Sequence, residues 1–313
     1  HKDTRIVIDA GTGIRILGLE LMQSDLPKTG GNIHLLFTHT HWDHIQGFPF
    51  FVPAFLPNVK LEVYGETKTV PGLDGRDEVW DIERVLHMQQ HFIYFPVGTK
   101  YMSSNKVYHA IDASSRFRIG EIEVSCFALH HPNSTLAFRF DVDGKSFVFS
   151  TDVEHNDDML RRLADFSRDA DVLAYDCQYT MAEYNAGKAG WGHSTYESAI
   201  EICKRGSVKS LHMIHHDPLH SDNTLLANGR AMVADWGHDE NSVIVSLSPM
   251  SHHIGTVAVE QMLATGCEFV VNDLRAGKKL LDVVVDSGAT YVMGVPTHGM
   301  DLLAQLKARE QNR

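Results

Sequence analysis

The chain has 313 residues, 20 of them histidine, and carries 28 basic against 40 acidic side chains for a net charge of −12. That length is enough to bury a real core and gives a prior of about two domains at ~150 residues each. No apolar run reaches the ~18 residues of a membrane span, and the acidic balance argues against a general affinity for nucleic acid, which needs clustered Lys and Arg. The four cysteines, Cys126, Cys177, Cys203 and Cys267, form no C-x-x-C pair. They read as reduced thiols rather than a disulfide frame or a zinc ribbon. With no secretory signal visible, a cytoplasmic location is expected.

In chain order, Arg5–Asp9 reads as a strand that runs into a glycine-containing turn through Gly13. Ile33–Thr38 is a short apolar run that reads as a buried strand. It delivers His39, His41, Asp43 and His44, four potential ligands within six residues. Imidazole and carboxylate at this density suit zinc or a similar divalent ion. One tight loop cannot wrap all four around a single tetrahedral ion, so the spacing suits two neighbouring ions. The apolar, aromatic stretch Gln46–Phe55 either walls a pocket that stacks a base or acyl group, or packs in the core. Core packing is the favoured reading. His87 and His91 stand four apart, but Met88 occupies the place where a zinc-protease helix needs its glutamate, so they are set aside.

Three further strands end in polar groups. Glu121–Ala128 alternates like a strand and leads to His130, His131 and Pro132. Phe147–Thr151 leads to Asp152, and Leu211–Ile214 leads to His215, His216, Asp217 and Pro218. Open α/β sheets place their sites along such strand ends. Taken alone, His131 or His215 could equally be a satisfied histidine; beside the first group they are the expected remaining ligands. Between the last two strands, Gly190–Thr195 precedes a helical stretch, Tyr196–Lys204. Ser194 or Thr195 could cap that helix. His193 is then either a functional histidine on a glycine-flexible loop or an incidental one.

These groups, in this order from about Ile6 to Trp236, resemble the metallo-β-lactamase superfamily. Within it they look most like the phosphodiesterase branch that includes the tRNA 3′-processing endonuclease RNase Z. The resemblance implies an α/β protein with a four-layer αββα metallo-β-lactamase sandwich, followed here by a short C-terminal βα extension. It implies two divalent metal ions, zinc first, with manganese or iron as alternatives. His39, His41 and His131 would hold one ion; Asp43, His44 and His215 the other; Asp152 would bridge them. His131 is preferred to His130 because the family's ligand precedes a proline here. His215 is preferred to His216 because the family spaces its ligand three before the proline. Asp43 and His193 would be catalytic, Asp43 orienting a metal-bridging hydroxide and His193 protonating the departing oxygen. Asp9 would support the metal loop without binding metal. His41 stands where the oxygen-reducing relatives carry glutamate, which disfavours a redox role. The branch normally opens with a further glycine-rich strand and loop before Ile6, and that segment is not found here, so an outer strand of the first sheet is expected to be missing.

Past the helix-like Leu225–Trp236 the signals change. Asn241–Ser248, Glu268–Val271 and Thr290–Met293 read as strands. Thr256–Ala264, Leu274–Asp286 and Met300–Lys307 read as helices, a pattern that suits a small parallel unit. Residues Val243–Arg309 resemble an interior piece of the acyl-CoA synthetases, without that family's phosphate loop. The expected domains are therefore 1–240, a hydrolase domain lacking its first strand, and 241–313, a fused fragment or tail.

The function expected is a dinuclear metal-dependent phosphodiesterase acting on a small or nucleotide-like phosphodiester. The alternatives are a carboxyl-ester, thioester or lactone hydrolase on the same site, or a non-catalytic fusion product. The partners expected are a small-molecule or nucleotide-like substrate and, at most, a second copy of the chain. No membrane partner is expected. tRNA is disfavoured as a substrate, because no long Gly/Pro-rich basic arm is visible and the net charge is negative.

Overall fold

The computed structural model describes residues 4–218, 220, 239–246, 267–271, 279–293 and 296–311. It divides into two compact units, His1–Asp217 and Pro218–Arg313. No helix among the described residues is long and apolar enough to cross a membrane.

The first unit is built on two sheets. One contains β1 (Arg5–Ile8), β2 (Gly31–Leu36), β3 (Val59–Glu66) and β6 (Asn105–Ile111), in the order β1-β2-β3-β6 and all parallel. The other contains β7 (Arg116–Ile119), β8 (Ile122–Leu129), β9 (Thr135–Val142), β10 (Lys145–Ser150), β11 (Val172–Asp176) and β12 (Leu211–Ile214). Its order is β12-β11-β10-β9-β8-β7, antiparallel from β7 to β10 and parallel from β10 to β12. A separate hairpin joins β4 (Lys68–Pro71) to β5 (Asp77–Trp80).

Three apolar clusters define the layers. Leu36, Tyr64, Ile122, Val124, Cys126, Phe138 and Phe140 pack between the two sheets. On the outside of the first sheet, Ile33, Leu35 and Leu61 meet Ile14 of helix α1 (Gly13–Gln23) together with Phe48 and Phe51. On the outside of the second, Val148 and Leu173 meet Leu160 and Leu163 of Asp157–Phe166 and Ala199 and Ile202 of Tyr196–Gly206. This is the four-layer αββα sandwich. Each fully buried Leu or Phe in these layers contributes about 1.5–3 kcal/mol relative to an exposed one. The Gln46–Phe55 stretch divides accordingly: Phe48 and Phe51 are core, whereas Phe50 is half exposed.

Both flanking helices of the second sheet start on a side-chain cap. The Asn156 Oδ1 accepts from the Met159 N–H at 2.8 Å, and the Thr195 Oγ1 accepts from the Ser198 N–H at 3.2 Å. Of the two residues that could cap the helix after His193, the structure uses Thr195 and leaves the Ser194 hydroxyl to pair with the Tyr175 hydroxyl at 2.7 Å.

Strand direction places the site. Because β1 and β2 are parallel and in register (Ile8 opposite Leu36), Asp9 and the His39–His44 segment emerge at the same sheet edge. In the second sheet Ser150 lies opposite Tyr175, and Asp176 opposite Ile214, so Asp152, Asp176 and His215 also leave at one edge. Strand β8 runs parallel in direction to β10, since each is antiparallel to β9, and it delivers His131 to the same end.

In the second unit Val243–Ser246, Glu268–Val271 and Tyr291–Met293 form a parallel sheet with Val243–Ser246 in the middle. Helices Leu280–Asp286 and Pro296–Gln311 accompany it, and Val245 and Leu280 are buried together. The last helix starts earlier than its hydrophobic pattern suggests, because proline is well tolerated in a helix's first turn. The expected helices Leu225–Trp236 and Thr256–Ala264 lie outside the described residues, as does the first part of Leu274–Asp286.

Candidate metal centre

The described residues gather two overlapping groups of ligand atoms, each group lying within 4.8 Å. One is His39, His41, His131 and Asp152; the other is Asp43, His44, Asp152 and His215. His131 is in the first group, whereas His130 is exposed. His215 is in the second, whereas the His216 Nδ1 pairs with the Tyr196 hydroxyl at 3.0 Å.

Asp152 stands between the groups with one oxygen toward each. Its Oδ1 lies 3.3 Å from the His44 Nε2 and 3.4 Å from the His215 Nε2. Its Oδ2 lies 3.5 Å from the His39 Nε2 and 3.7 Å from the His131 Nε2. Burial works to raise the Asp152 carboxyl, but His44, His215 and His39 outweigh it and hold the group below the usual carboxylate range.

Partners behind the ring decide which nitrogen each histidine offers. The Asp9 Oδ2 accepts from the Thr38 Oγ1 at 2.7 Å and from the His44 Nδ1 at 2.8 Å, and the Asp9 Oδ1 accepts from the Thr38 N–H at 2.8 Å. Having given its one proton to Asp9, the Thr38 hydroxyl accepts from the His39 Nδ1 at 3.1 Å. The His131 Nδ1 donates to the Gly192 carbonyl at 2.6 Å, and the His215 Nδ1 donates to the Gln178 Oε1 at 3.1 Å. All four rings therefore turn their Nε2 toward the groups, an arrangement usual behind metal-ligating histidines.

Two observations fit these residues to divalent cations. The buried Nε2 atoms of His39 and His44 make no hydrogen bond among the described residues. Burial, followed by the neighbouring His44, pushes His39 down to about 2, and burial pushes His131 down to about 4, so both are neutral imidazoles ready to donate a lone pair. The backbone is strained at the same places: Asp9 (φ +59°), Asp152 (φ +39°) and His215 (φ +58°) occupy the left-handed region. Non-glycine residues persist there only where surrounding structure enforces it.

A third group, Asp176, His193 and His215, adjoins the second. Asp176 is completely buried; its Oδ2 lies 3.1 Å from the His193 Nδ1 and accepts from the N–H groups of Val153 at 3.1 Å and Ser194 at 3.3 Å. Burial raises the Asp176 carboxyl, and His193 opposes that rise. The His193 ring stacks on His215 at 5.0 Å and meets His131 edge-on at 5.2 Å.

The loop carrying His193 is held from below by Glu154. Its carboxylate accepts from the N–H groups of Gly190 at 3.1 Å and Gly192 at 2.6 Å and from the Tyr184 hydroxyl. Gly192 has φ +86°, and a Cβ there would come within 2.5 Å of the His131 Nδ1. Sequence reasoning did not single out Asp176, Gln178 or Glu154. Asp176 had a usable signal, a carboxylate ending the apolar run Val172–Tyr175; the other two had none.

A sequence profile described as the beta-lactamase superfamily domain matches residues 4–216. The chain belongs to this superfamily. A ribonuclease Z from Picrophilus torridus is 34% identical over 236 residues, covering 62% of this chain and 72% of the relative. A ribonuclease Z from Brevibacillus brevis is 23% identical over 257 residues, covering 68% and 74%. The metallo-beta-lactamase fold protein YhfI from Bacillus subtilis superposes with a TM-score of 0.50 at 16% identity, covering 87% of this chain and 85% of its own. The likeness to YhfI establishes the fold alone. Membership and the clustered ligands make the protein a metal-dependent hydrolase.

One expectation is overturned. tRNA was disfavoured as a substrate, yet two curated relatives are ribonucleases Z. The physical fault lies in using net charge, which sums over the whole surface and leaves out any bound cation, whereas phosphate binding depends on the local field.

Proposed function

We propose that the protein is a phosphodiesterase with two divalent ions, zinc first, acting on a nucleotide-like phosphodiester of the kind found in RNA. The observation that carries this reading is the His193–Asp176 pair set against two of the ligand histidines. The names of the curated relatives support it. In this reading His39, His41 and His131 hold one ion, Asp43, His44 and His215 hold the other, and Asp152 is shared. Ions so held would acidify water and polarise a phosphoryl oxygen. Asp43 accepts a hydrogen bond from the attacking water and orients it. His193, fixed at Nδ1 by Asp176, gives up a proton from Nε2 to the leaving oxygen. Asp176 stabilises the protonated ring until that transfer. Thioester cleavage needs no such acid, because a thiolate departs more readily than the alkoxide of a sugar hydroxyl.

For the chain beyond residue 240 we keep the reading of a fused βα piece with no activity of its own. The resemblance there covers only ~70 residues and includes no phosphate loop.

The test compares bis-p-nitrophenyl phosphate, a precursor tRNA with a 3′ extension, p-nitrophenyl acetate and a thioester, with added zinc or manganese. Cleavage of both phosphodiesters is expected. Acyl-ester turnover without phosphodiester turnover would overturn the reading.

A further inference from the structure

The first group of ligand atoms draws on both sheets. His39 and His41 follow β2 of the first sheet, whereas His131 follows β8 of the second. A small shift between the two edges would pull the group apart, so the span between them has to be fixed. One backbone bond does part of this: the Leu136 N–H donates to the Thr38 carbonyl at 2.9 Å.

Lys68 makes another tie. It stands two residues past the end of β3, which runs parallel to β2 and ends at the same edge, and it reaches across to the loop that follows His131. Its ammonium donates to the carbonyls of Asn133 and Ser134, the latter at 2.8 Å, and lies 3.7 Å from the Glu66 Oε2. An ammonium has three protons, and these three acceptors account for them. The side chain is only 13% exposed. Lys68 therefore has no donor to spare for a substrate, and what it does is hold the loop.

The loop needs holding. The Ser134 N–H donates to the His131 carbonyl at 3.0 Å and closes a turn with Pro132 and Asn133 at its centre. Asn133 has φ +68°, which asparagine tolerates at the third position of a turn. Ser134 has φ +67°, a left-handed conformation held without glycine's freedom or asparagine's tolerance. If Ser134 relaxed, the backbone that carries His131 would swing with it. Glu66 adds a weaker hold, since its Oε1 accepts from the Ser134 hydroxyl at 3.5 Å.

We propose that Lys68 is a positioning residue for the first metal group, clamping the strained Asn133–Ser134 backbone so that the His131 Nε2 stays aimed at the ion. The proposal rests on the two-ion reading. Charge alone predicts the reverse effect. Lys68 lies near enough to His41 to disfavour positive charge there, so removing the ammonium should tighten the binding of a cation. The clamp predicts weaker binding, and the sign separates the two.

Zinc titration of the metal-stripped whole protein against a chromophoric chelator tests this without turnover. Wild type should give two binding steps, and the step that His41→Ala abolishes marks the first group. Lys68→Met is expected to weaken that step at least ~10-fold, the usual cost of losing a partner behind a ligand, and to change the other less than ~3-fold. Lys106→Met is the structural control. Lys106 also donates to two carbonyls, those of Met102 at 2.6 Å and Ser104 at 3.0 Å, but at the start of β6, the end of the sheet away from the metal groups. Both steps should survive that change. Adding Ser134→Gly to Lys68→Met relieves the left-handed strain and is expected to recover at least ~5-fold of the lost affinity. Unchanged or tighter zinc at the first step, an equal loss at both steps, a like loss in Lys106→Met, or no recovery with Ser134→Gly would overturn the clamp. Lys68→Gln carries the same measurement should Lys68→Met not fold. A wild type that binds a single zinc, lost in His41→Ala, would count against the two-ion reading alone, because Lys68→Met still reads that step. A single zinc that survives His41→Ala would leave the first group without an ion and overturn the clamp as well.

Discussion

The sharpest mechanistic prediction concerns Asp176→Asn. The carboxylate is completely buried and receives four donors: Oδ2 takes the His193 ring and the N–H groups of Val153 and Ser194, and Oδ1 takes the Gln178 N–H at 3.1 Å. An asparagine keeps most of these by turning its oxygen to the three-donor side, which leaves its amide facing the Gln178 N–H. The Gln178 N–H and the new amide are then two facing donors without acceptors, at about 1–3 kcal/mol each, together roughly 4–24 °C in melting temperature for a unit of ~210 residues. A melt run beside the rate assay checks that the variant is folded at the assay temperature. What is lost is the negative charge that stabilises protonated His193, and with it proton donation worth about 10²–10⁴ in rate. The loss should depend on the leaving group. p-Nitrophenolate departs as a stable anion and needs little help, whereas a ribose hydroxyl must be protonated. Measured kcat on an oligoribonucleotide should fall at least ~100-fold in Asp176→Asn and in His193→Ala, and on bis-p-nitrophenyl phosphate only severalfold. If Asp176 acts through His193, the double variant should match His193→Ala within ~3-fold. An equal loss on both substrates, or a double variant far slower than His193→Ala, would refute the assignment.

Other outcomes follow from the same geometry. Asp152→Asn should reduce bound metal from about two equivalents to below one, because each of its oxygens faces a different group, whereas His41→Ala should remove about one; elemental analysis after dialysis reads both. Gly192→Ala combines a positive φ with a Cβ 2.5 Å from the His131 Nδ1, so it should lower the thermal midpoint by at least ~5 °C and weaken metal retention together. Asn156→Ala removes a helix cap four residues after Asp152, where the side chain accepts from the Met159 N–H; a drop of ~1 kcal/mol, about 2–4 °C, with kcat unchanged is expected from a melt and a rate assay.

The clustering was legible because each candidate ligand follows an apolar run, and runs that pair in one sheet end at one edge. His39, His131, Asp152 and His215 each satisfy that rule within two or three residues of a strand end. The supporting residues were less legible. Asp176 carried the same signal as Asp152, a carboxylate at the end of an apolar run, whereas Glu154 is a single acid among 40, marked only by its burial under backbone N–H groups. Gln178 holds His215 through an amide, a group with no metal-binding signature of its own. The β4–β5 hairpin did carry a signal, since Pro71-Gly72 and Asp74-Gly75 mark its turn.

Charge was the place where sequence arithmetic pointed the wrong way, and the reason is local. Asp9, Asp43, Asp152 and Asp176 all enter the sum as negatives, yet the first is bonded to His44, the next two face ligand histidines, and the last is bonded to His193. Two divalent ions would add four positive charges at this edge, where the partners are buried and water screens them poorly. Lys68, paired with Glu66 at 3.7 Å, donates to the carbonyls of Asn133 and Ser134 in the loop after His131, and it lies near enough to work against protonation of His41. A phosphodiester approaching this edge would meet a positive centre set in an acidic protein. Net charge then governs how the protein repels polyanions elsewhere on its surface, and the metal edge governs where one can dock. An acidic total is therefore compatible with a polyanionic substrate, provided that binding is concentrated at the metal groups.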